Sequence, residues 1–237
     1  MGIFGKLNND GLEEAQDRLG GYQALDTDLY TGTIKMAYAG QSATGAQSIT
    51  FLVNLESGQE YRETVYVTNR KGENFYLNKN DISKKVPLPG FTTADDICLC
   101  TAGTPLSEQN TEEKMVNVYD SEQRKEVPKA VPVLIDLLGQ KITLGILNLL
   151  ENKSEKSGDE YVPIADTRTS NVIDKVFHTE TRLTTAEARN GKPAEFIDKW
   201  LERNKGKQQD RRTIKDGEGP KTGRPGSAPQ ANGGSAP

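Results

Sequence analysis

Alternation of apolar and polar residues dominates the first third of the chain. Residues 31–39, 48–55 and 60–68 each alternate with a period of two, which places every second side chain on one face of a β-strand. In the first segment, Ile34 and Tyr38 are expected on one face together with Met36. Short turn signals rich in Gly and Ser separate the three segments. The pattern therefore predicts an antiparallel meander of three strands.

Shorter apolar runs and long polar stretches follow the meander. Residues 69–91 have no periodicity and predict a long irregular loop, and Thr93 with Asp96 resembles a helix cap for a helix that ends at Gly103. Later elements are predicted as a strand at 114–119, a charged turn at 121–129, a helix at 131–138, a strand at 141–150, a charged loop at 151–160, a strand at 172–177 and an amphipathic helix at 193–204. This order predicts a mainly β protein with a few helices, an OB-fold-like five-stranded antiparallel barrel with additions.

Composition divides the chain into three parts. We expect an N-terminal arm at 1–28, an OB-like domain at 29–205 and a disordered tail rich in basic residues, Gly, Pro and Ser at 206–237. The net charge is -4, but from Lys199 onward nine basic residues stand against four acidic ones. An acidic body with a basic tail is compatible with nucleic-acid contact but does not require it.

Cysteine usage and hydropathy indicate the compartment. Cys98 and Cys100 are too close in sequence to cross-link distant parts of a fold, which favours a reducing environment. Residues 1–10 lack the apolar segment of a signal peptide, and no apolar run reaches the length of a membrane span. We therefore expect a soluble cytoplasmic protein that does not contact a membrane.

Residues that carry catalysis are scarce. His178 is the only histidine, and the chain has no nucleophile-elbow, Walker or G-x-G-x-x-G motif. Cys98 and Cys100 lack a second pair of ligands at zinc spacing. The carboxylate pairs at 95–96 and 112–113 are weak alternatives for a divalent ion. We expect no enzymatic activity, no cofactor and no metal site.

Aromatic and basic residues are interleaved in and beside the predicted loop. Single-stranded nucleic acid is bound by cations that contact phosphates and by aromatic rings that stack on bases. The candidate contact residues are Lys35, Arg62, Tyr66, Arg70, Lys71, Phe75, Tyr76, Lys79, Lys84 and Lys85. An alternative stays open, in which Phe75 and Tyr76 anchor the loop to the core and Lys84 with Lys85 is an ordinary solvated pair.

A second, weaker group of candidates lies later in the chain. It comprises Arg168, Lys175, Phe177, His178 and Arg182. Trp200 lies on the apolar stripe of the last predicted helix and is expected in the core.

Five segments of the sequence carry a resemblance to a known protein family. They are MGIFG at 1–5, DRLGGY at 17–22, YVTNRKGENF at 66–75, KVPLPGFTT at 85–93 and DKVFH at 174–178. They resemble the single-stranded DNA-binding proteins of tailed bacteriophages, and the likeness extends from residue 1 to about 216. The resemblance implies an oligonucleotide-binding barrel that coats single strands during phage DNA replication and recombination in the cytoplasm of the infected bacterial host. It also implies recruitment of replication, recombination or transcription proteins through the C-terminus.

The chain departs from that family at its end, and other classes of protein stay open. Many such proteins end in an acidic tail, whereas residues 221–237 are basic and then uncharged. One alternative is a phage structural or assembly protein, and another is a protein that modulates host transcription through protein contacts. The pattern predicts no particular oligomeric state.

Overall fold

The structure is a computed structural model that describes residues 24–120, 123, 125–158 and 160–215. Most of the predicted N-terminal arm and the tail beyond residue 215 lie outside the described residues. The strands in the described part are β1 (Asp28–Gln41), β2 (Gln47–Leu55), β3 (Glu60–Tyr66), β4 (Phe75–Leu77), β5 (Lys85–Pro87), β6 (Thr111–Asp120), β7 (Lys125–Leu134), β8 (Lys141–Ser157), β9 (Glu160–Phe177) and β10 (Gln208–Asp210). The helices are α1 (Pro89–Thr101), α2 (Thr185–Arg189) and α3 (Phe196–Asn204). The protein is therefore mainly β, as predicted.

Strands β1, β2 and β3 form the predicted antiparallel meander. A bulge between Ile34 and Met36 changes the faces of β1. Ile34 and Ala37 lie in the main core, whereas Tyr38 and Met36 belong to a second apolar cluster on the outer face. The prediction that Ile34, Met36 and Tyr38 share one face is wrong, because one extra residue reverses the alternation beyond it.

A long antiparallel hairpin of β8 and β9 lies beside β1, which gives the strand order β9-β8-β1-β2-β3. In the described part of the chain, no backbone ladder joins β3 to β9, so the sheet is not closed. Helix α1 contacts both β3 and β9, and it buries Ala94, Ile97 and Cys98 in the main core. The core therefore lies between the sheet and this helix.

Glu63 bridges β3 and β9 with its side chain. Its Oε2 atom accepts a hydrogen bond from the backbone N–H of Ile173 at 2.8 Å and another from the Tyr61 hydroxyl at 2.5 Å. Burial raises the pKa of the Glu63 carboxyl above its usual value, although both hydrogen bonds act in the opposite direction. A carboxylate thus connects two strands that have no ladder between them.

Replacing Glu63 with Gln tests this bridge. A carboxyl with a raised folded pKa stabilises the fold below its unfolded pKa, near 4.3, and this contribution is lost as the pH rises through the folded pKa. Gln does not titrate and keeps an oxygen that accepts hydrogen bonds. The free energy of unfolding of E63Q is therefore expected to rise relative to that of the wild type between pH 4 and pH 8, measured by urea denaturation.

A second substitution separates charge from hydrogen bonding at this position. Glu63→Leu leaves the buried N–H of Ile173 without its acceptor and is expected to cost about 1–3 kcal/mol. If the free energies of unfolding of E63Q and the wild type changed in parallel with pH, this would contradict a raised pKa of Glu63 in the folded state.

The predicted irregular loop at 69–91 contains the antiparallel hairpin of β4 and β5 and the first turn of α1. The helix begins at Pro89, so the prediction of a cap at Thr93 is wrong. Proline suits the first turn because its missing N–H has no partner there in any helix. The Thr93 hydroxyl instead donates to the carbonyl oxygen of Pro89 at 3.1 Å. The end is as predicted, because Gly103 adopts φ +74 and its N–H donates to the Cys98 carbonyl.

The predicted helix at 131–138 is also wrong, and the predicted charged turn at 121–129 is too long, because its last five residues are strand. Their residues contribute to β7, which pairs with the whole of β6 and is followed by a single 3-10 turn, Ile135–Leu137. Alternating valines suit a half-buried strand, and Val131 and Val133 are buried against Tyr38 in the second cluster. The β6–β7 hairpin therefore packs on the outer face of the meander.

Two further segments are more ordered than their composition indicates. The predicted charged loop at 151–160 extends β8 and β9 as an exposed two-stranded ribbon. Residues 206–215, assigned to the tail, include β10, which pairs in parallel with β8. The side-chain oxygen of the buried Asn152 accepts hydrogen bonds from the backbone N–H groups of Thr213 and Ile214, and Ile214 is itself buried.

No helix among the described residues is long and apolar enough to cross a membrane.

Candidate nucleic-acid interface

One face of β3 points away from the core. Glu60, Arg62, Thr64 and Tyr66 alternate with core residues, so their side chains line the outer face of the meander. Tyr66 is 53% exposed at the end of this row. We call these four residues the β3 strip, which is about 20 Å long at ~3.3 Å per residue.

The β4–β5 hairpin lies at the Tyr66 end of the β3 strip. Gly90 packs so tightly on the backbone of Tyr66 that it leaves no room for a Cβ atom. The backbone N–H of Leu88 donates to the Asn74 carbonyl at 2.9 Å and closes the base of the hairpin. Backbone contacts therefore hold the first turn of α1, which directly follows the hairpin, against Tyr66.

The hairpin presents the ring of Tyr76 to solvent, whereas Phe75 is half-buried. Tyr76 is 49% exposed, and neither Phe75 nor Tyr76 belongs to an apolar cluster of the described residues. The Lys85 Nζ atom lies 4.2 Å from the centroid of the Phe75 ring, within the range of a cation–π contact. Tyr76 is therefore accessible, whereas the half-buried Phe75 leaves both alternatives open for that ring.

The other candidate cations of this region surround the hairpin. Arg70 and Lys71 are exposed in the turn before β4, and the Arg70 carbonyl lies beside Gly45 in the β1–β2 turn. Lys79 is exposed in the turn between β4 and β5, and Lys84 pairs with Asp81 at 3.2 Å. Nine of the ten candidates thus lie along the β3 strip and the hairpin that continues it.

Lys35 lies at the opposite end of the strip. It is the extra residue of the β1 bulge, and its Nζ atom pairs with a carboxylate oxygen of Glu60 at 2.6 Å. It is therefore separated from the aromatic rings by the length of β3.

Arg62 has two partners that the sequence did not indicate. One terminal nitrogen of its guanidinium donates to Glu126 at 2.7 Å, and the other donates to the Tyr38 hydroxyl at 2.7 Å. Burial acts to lower the pKa of Arg62, but the bonds to Glu126 and Tyr38 outweigh it and raise that pKa. Glu126 is 64 residues from Arg62 and approaches it because the β6–β7 hairpin packs on the meander.

The second group of candidates is divided: Lys175, His178 and Arg182 lie near α3, whereas Phe177 and Arg168 do not share their surface. Phe177 is fully buried, so its prediction as a contact residue is wrong. Arg168 pairs with Glu151 at 3.6 Å and Arg182 pairs with Asp198 at 2.7 Å, on different parts of the molecule. Lys175 lies over the ring of Phe196.

The cysteines and the histidine considered for catalysis and metal binding are either buried or hydrogen-bonded within the fold. Cys98 and Cys100 are buried, and burial raises the pKa of each thiol to about 12, which keeps both protonated. The Nδ1 atom of His178 accepts the backbone N–H of Thr181 at 3.2 Å. Within the described ranges, no group of three or more His, Cys, Asp or Glu side chains is placed to hold a metal ion.

Three of the four carboxylates in the two adjacent pairs have partners within the described part of the chain. Asp95 accepts the backbone N–H of Leu106 at 2.8 Å, and Asp96 accepts the hydroxyl of Thr185. Glu112 lies 3.4 Å from Lys114.

Comparison with known proteins leaves the chain without an assigned family. No protein-family model matches the sequence, and no curated protein matches it significantly. Function is therefore inferred from the geometry of the described residues.

Proposed function

We propose that this protein binds single-stranded DNA along the β3 strip and the β4–β5 hairpin, with little sequence preference and without an enzymatic step. The observation that carries the proposal is the exposure of Tyr66 at the end of β3 and of Tyr76 in the hairpin that follows it, together with the exposed cations Arg70, Lys71 and Lys79. Exposed aromatic rings beside Lys and Arg are the two devices that hold single strands.

The expected binding mode follows from these groups. Bases stack on Tyr66, Phe75 and Tyr76, and each stack contributes about 1–3 kcal/mol whatever the base. Arg62 and Lys71 contact phosphates together with the other hairpin cations. In duplex DNA the bases stack on one another inside the helix. Its phosphates are therefore accessible to the cations, but its bases are not accessible to the aromatic rings. Preference for single strands is therefore expected to come from the aromatic residues.

The arrangement of strands supports a five-stranded barrel of the oligonucleotide-binding type as the finer description of the fold. The order β9-β8-β1-β2-β3 brings the two outer strands together at the Glu63 bridge. In such barrels the ligand crosses the face of the second and third strands beside the loop that joins the first two. The β3 strip and the β1–β2 turn near Arg70 occupy those positions.

The resemblance of the sequence supplies the biological setting of the proposal. The protein acts in phage DNA replication and recombination in the cytoplasm of the infected bacterial host, where it coats and protects single strands. Recruitment of replication, recombination or transcription proteins is assigned to the C-terminal tail, whose residues beyond 215 lie outside the described part of the chain.

Titration of fluorescein-labelled oligo-dT, followed by anisotropy, tests the proposal. Saturable binding is expected at low salt. The affinity is expected to fall as salt rises, because Lys and Arg side chains that bind phosphates release counterions from the DNA. An unlabelled duplex of the same length is expected to compete poorly. Absence of binding at low salt would overturn the proposal in favour of a phage structural, assembly or host-transcription-modulating protein.

A further inference from the structure

Carboxylates neutralise both cations of the strip region. Glu60 holds Lys35, and Glu126 holds Arg62. The side chains of Lys35 and Glu60 are 54% and 43% exposed, and those of Arg62 and Glu126 are 35% and 50% exposed, so Arg62 is the least exposed of the four. Water screens exposed pairs, so the bond between Glu126 and Arg62 is the stronger barrier to any other anion.

Glu126 occupies the place that a phosphate would take. It comes from β7, on the hairpin that packs on the outer face of the meander, and binds one end of the guanidinium fork. The other end is bound to the Tyr38 hydroxyl. Because a phosphate binds arginine best through two parallel N–H donors, it must displace the Glu126 carboxylate from Arg62.

We infer that Glu126 is a specificity-determining residue that makes base stacking a requirement for tight binding; this inference rests on the proposed function. Competition by Glu126 weakens the attraction of the strip for every polyanion. Single-stranded DNA offsets this loss by stacking on Tyr66 and the hairpin rings, whereas an anion without bases does not. Specificity here arises from a repulsive element as well as from attractive contacts.

Glu126→Gln is the test, because Gln keeps the size of the side chain and an oxygen that accepts from Arg62 but removes the competing charge. The Kd for oligo-dT is expected to fall about two- to fivefold, the range set by exposed ion pairs. The slope of log K against log salt is expected to steepen by up to about 0.7, because Arg62 then neutralises in every complex a phosphate for which Glu126 competes in the wild type.

Inorganic polyphosphate reports specificity in the same assay. Used as a competitor, it carries closely spaced phosphates but no bases. E126Q is expected to gain more affinity for polyphosphate than for oligo-dT, because polyphosphate binds through charge alone, so the preference for DNA falls. Equal gains for the two ligands, or a gain confined to oligo-dT, would overturn the inference.

Glu202→Gln is the matched control for charge. Glu202 is exposed on α3, and its replacement makes the same change in net charge. E126Q is also compared in an Arg62→Ala background, where its effect is expected to shrink to that of E202Q because the competition is lost. Equal effects of E126Q and E202Q in the wild-type background, or an undiminished effect without Arg62, would overturn the inference. Absence of oligo-dT binding by the wild type would instead overturn the proposed function.

Discussion

Trp200→Ala is expected to lower the free energy of unfolding by about 3–5 kcal/mol, the usual cost of deleting a large buried aromatic side chain. Trp200 is 3% exposed and packs with Ile197 of α3 against Leu147 and Leu149 of β8. Its ring lies directly on Gly145, where an added Cβ would meet it at 3.0 Å. The substitution therefore opens a cavity between α3 and the sheet.

Urea denaturation followed by circular dichroism measures this effect, since the variant has no other tryptophan to report by fluorescence. The indole Nε1–H also donates to Asp174 Oδ2 at 2.6 Å. Trp200→Phe removes that bond but keeps most of the ring, and we expect it to cost less than Trp200→Ala. A loss below about 1 kcal/mol for the alanine variant would contradict the packing described for α3.

The meander could be predicted from the sequence because its signals are local. Alternation in residues 48–55 and 60–68 fixes which side chains of β2 and β3 face the core, and the Gly-containing turn between them fixes their pairing. In β2 and β3, local sequence is therefore enough to predict both the buried face and the pairing. The same reasoning placed Trp200 in the core correctly.

Other parts of the fold depend on contacts between distant residues. The bulge at Lys35 has no local signal, yet it moves Tyr38 from the expected face to the outer cluster. Strand β7 has too short an apolar run to distinguish from a helix until β6 pairs with it. Strand β10 is polar and pairs with β8, and Asn152 holds Thr213 just after it, so this segment resembles a flexible tail in composition although distant residues order it.

The candidate site was predictable to the extent that its residues are neighbours in sequence. Most contact candidates fall between Arg62 and Lys85, and the structure places them on one strand and the hairpin that follows it. Tyr38 and Glu126, which hold Arg62, come from β1 and β7 and carry no signal of their role. Phe177 was misplaced because a lone aromatic in an alternating strand does not reveal which face is buried.

Replacing Phe75 and Tyr76 together with alanine is expected to weaken binding to oligo-dT by at least about thirtyfold. Each lost stack costs about 1–3 kcal/mol, so two cost about 2–6 kcal/mol. The rings lie outside the apolar clusters of the described residues, and backbone hydrogen bonds hold their hairpin, so the fold is expected to remain intact. Anisotropy titration measures the affinity, and thermal unfolding checks the fold.

The salt dependence of this double variant separates stacking from electrostatics. Because Arg70, Lys71 and Lys85 remain, the slope of log K against log salt is expected to stay near the wild-type value while the affinity falls at every salt concentration. Tyr161→Ala is the matched control, since Tyr161 is a 70% exposed tyrosine on the β8–β9 ribbon, away from the hairpin. An unchanged affinity in the double variant would remove both rings from the binding surface. A similar loss in the control would mean that exposed aromatic residues across the molecule, and not this hairpin in particular, contribute to binding.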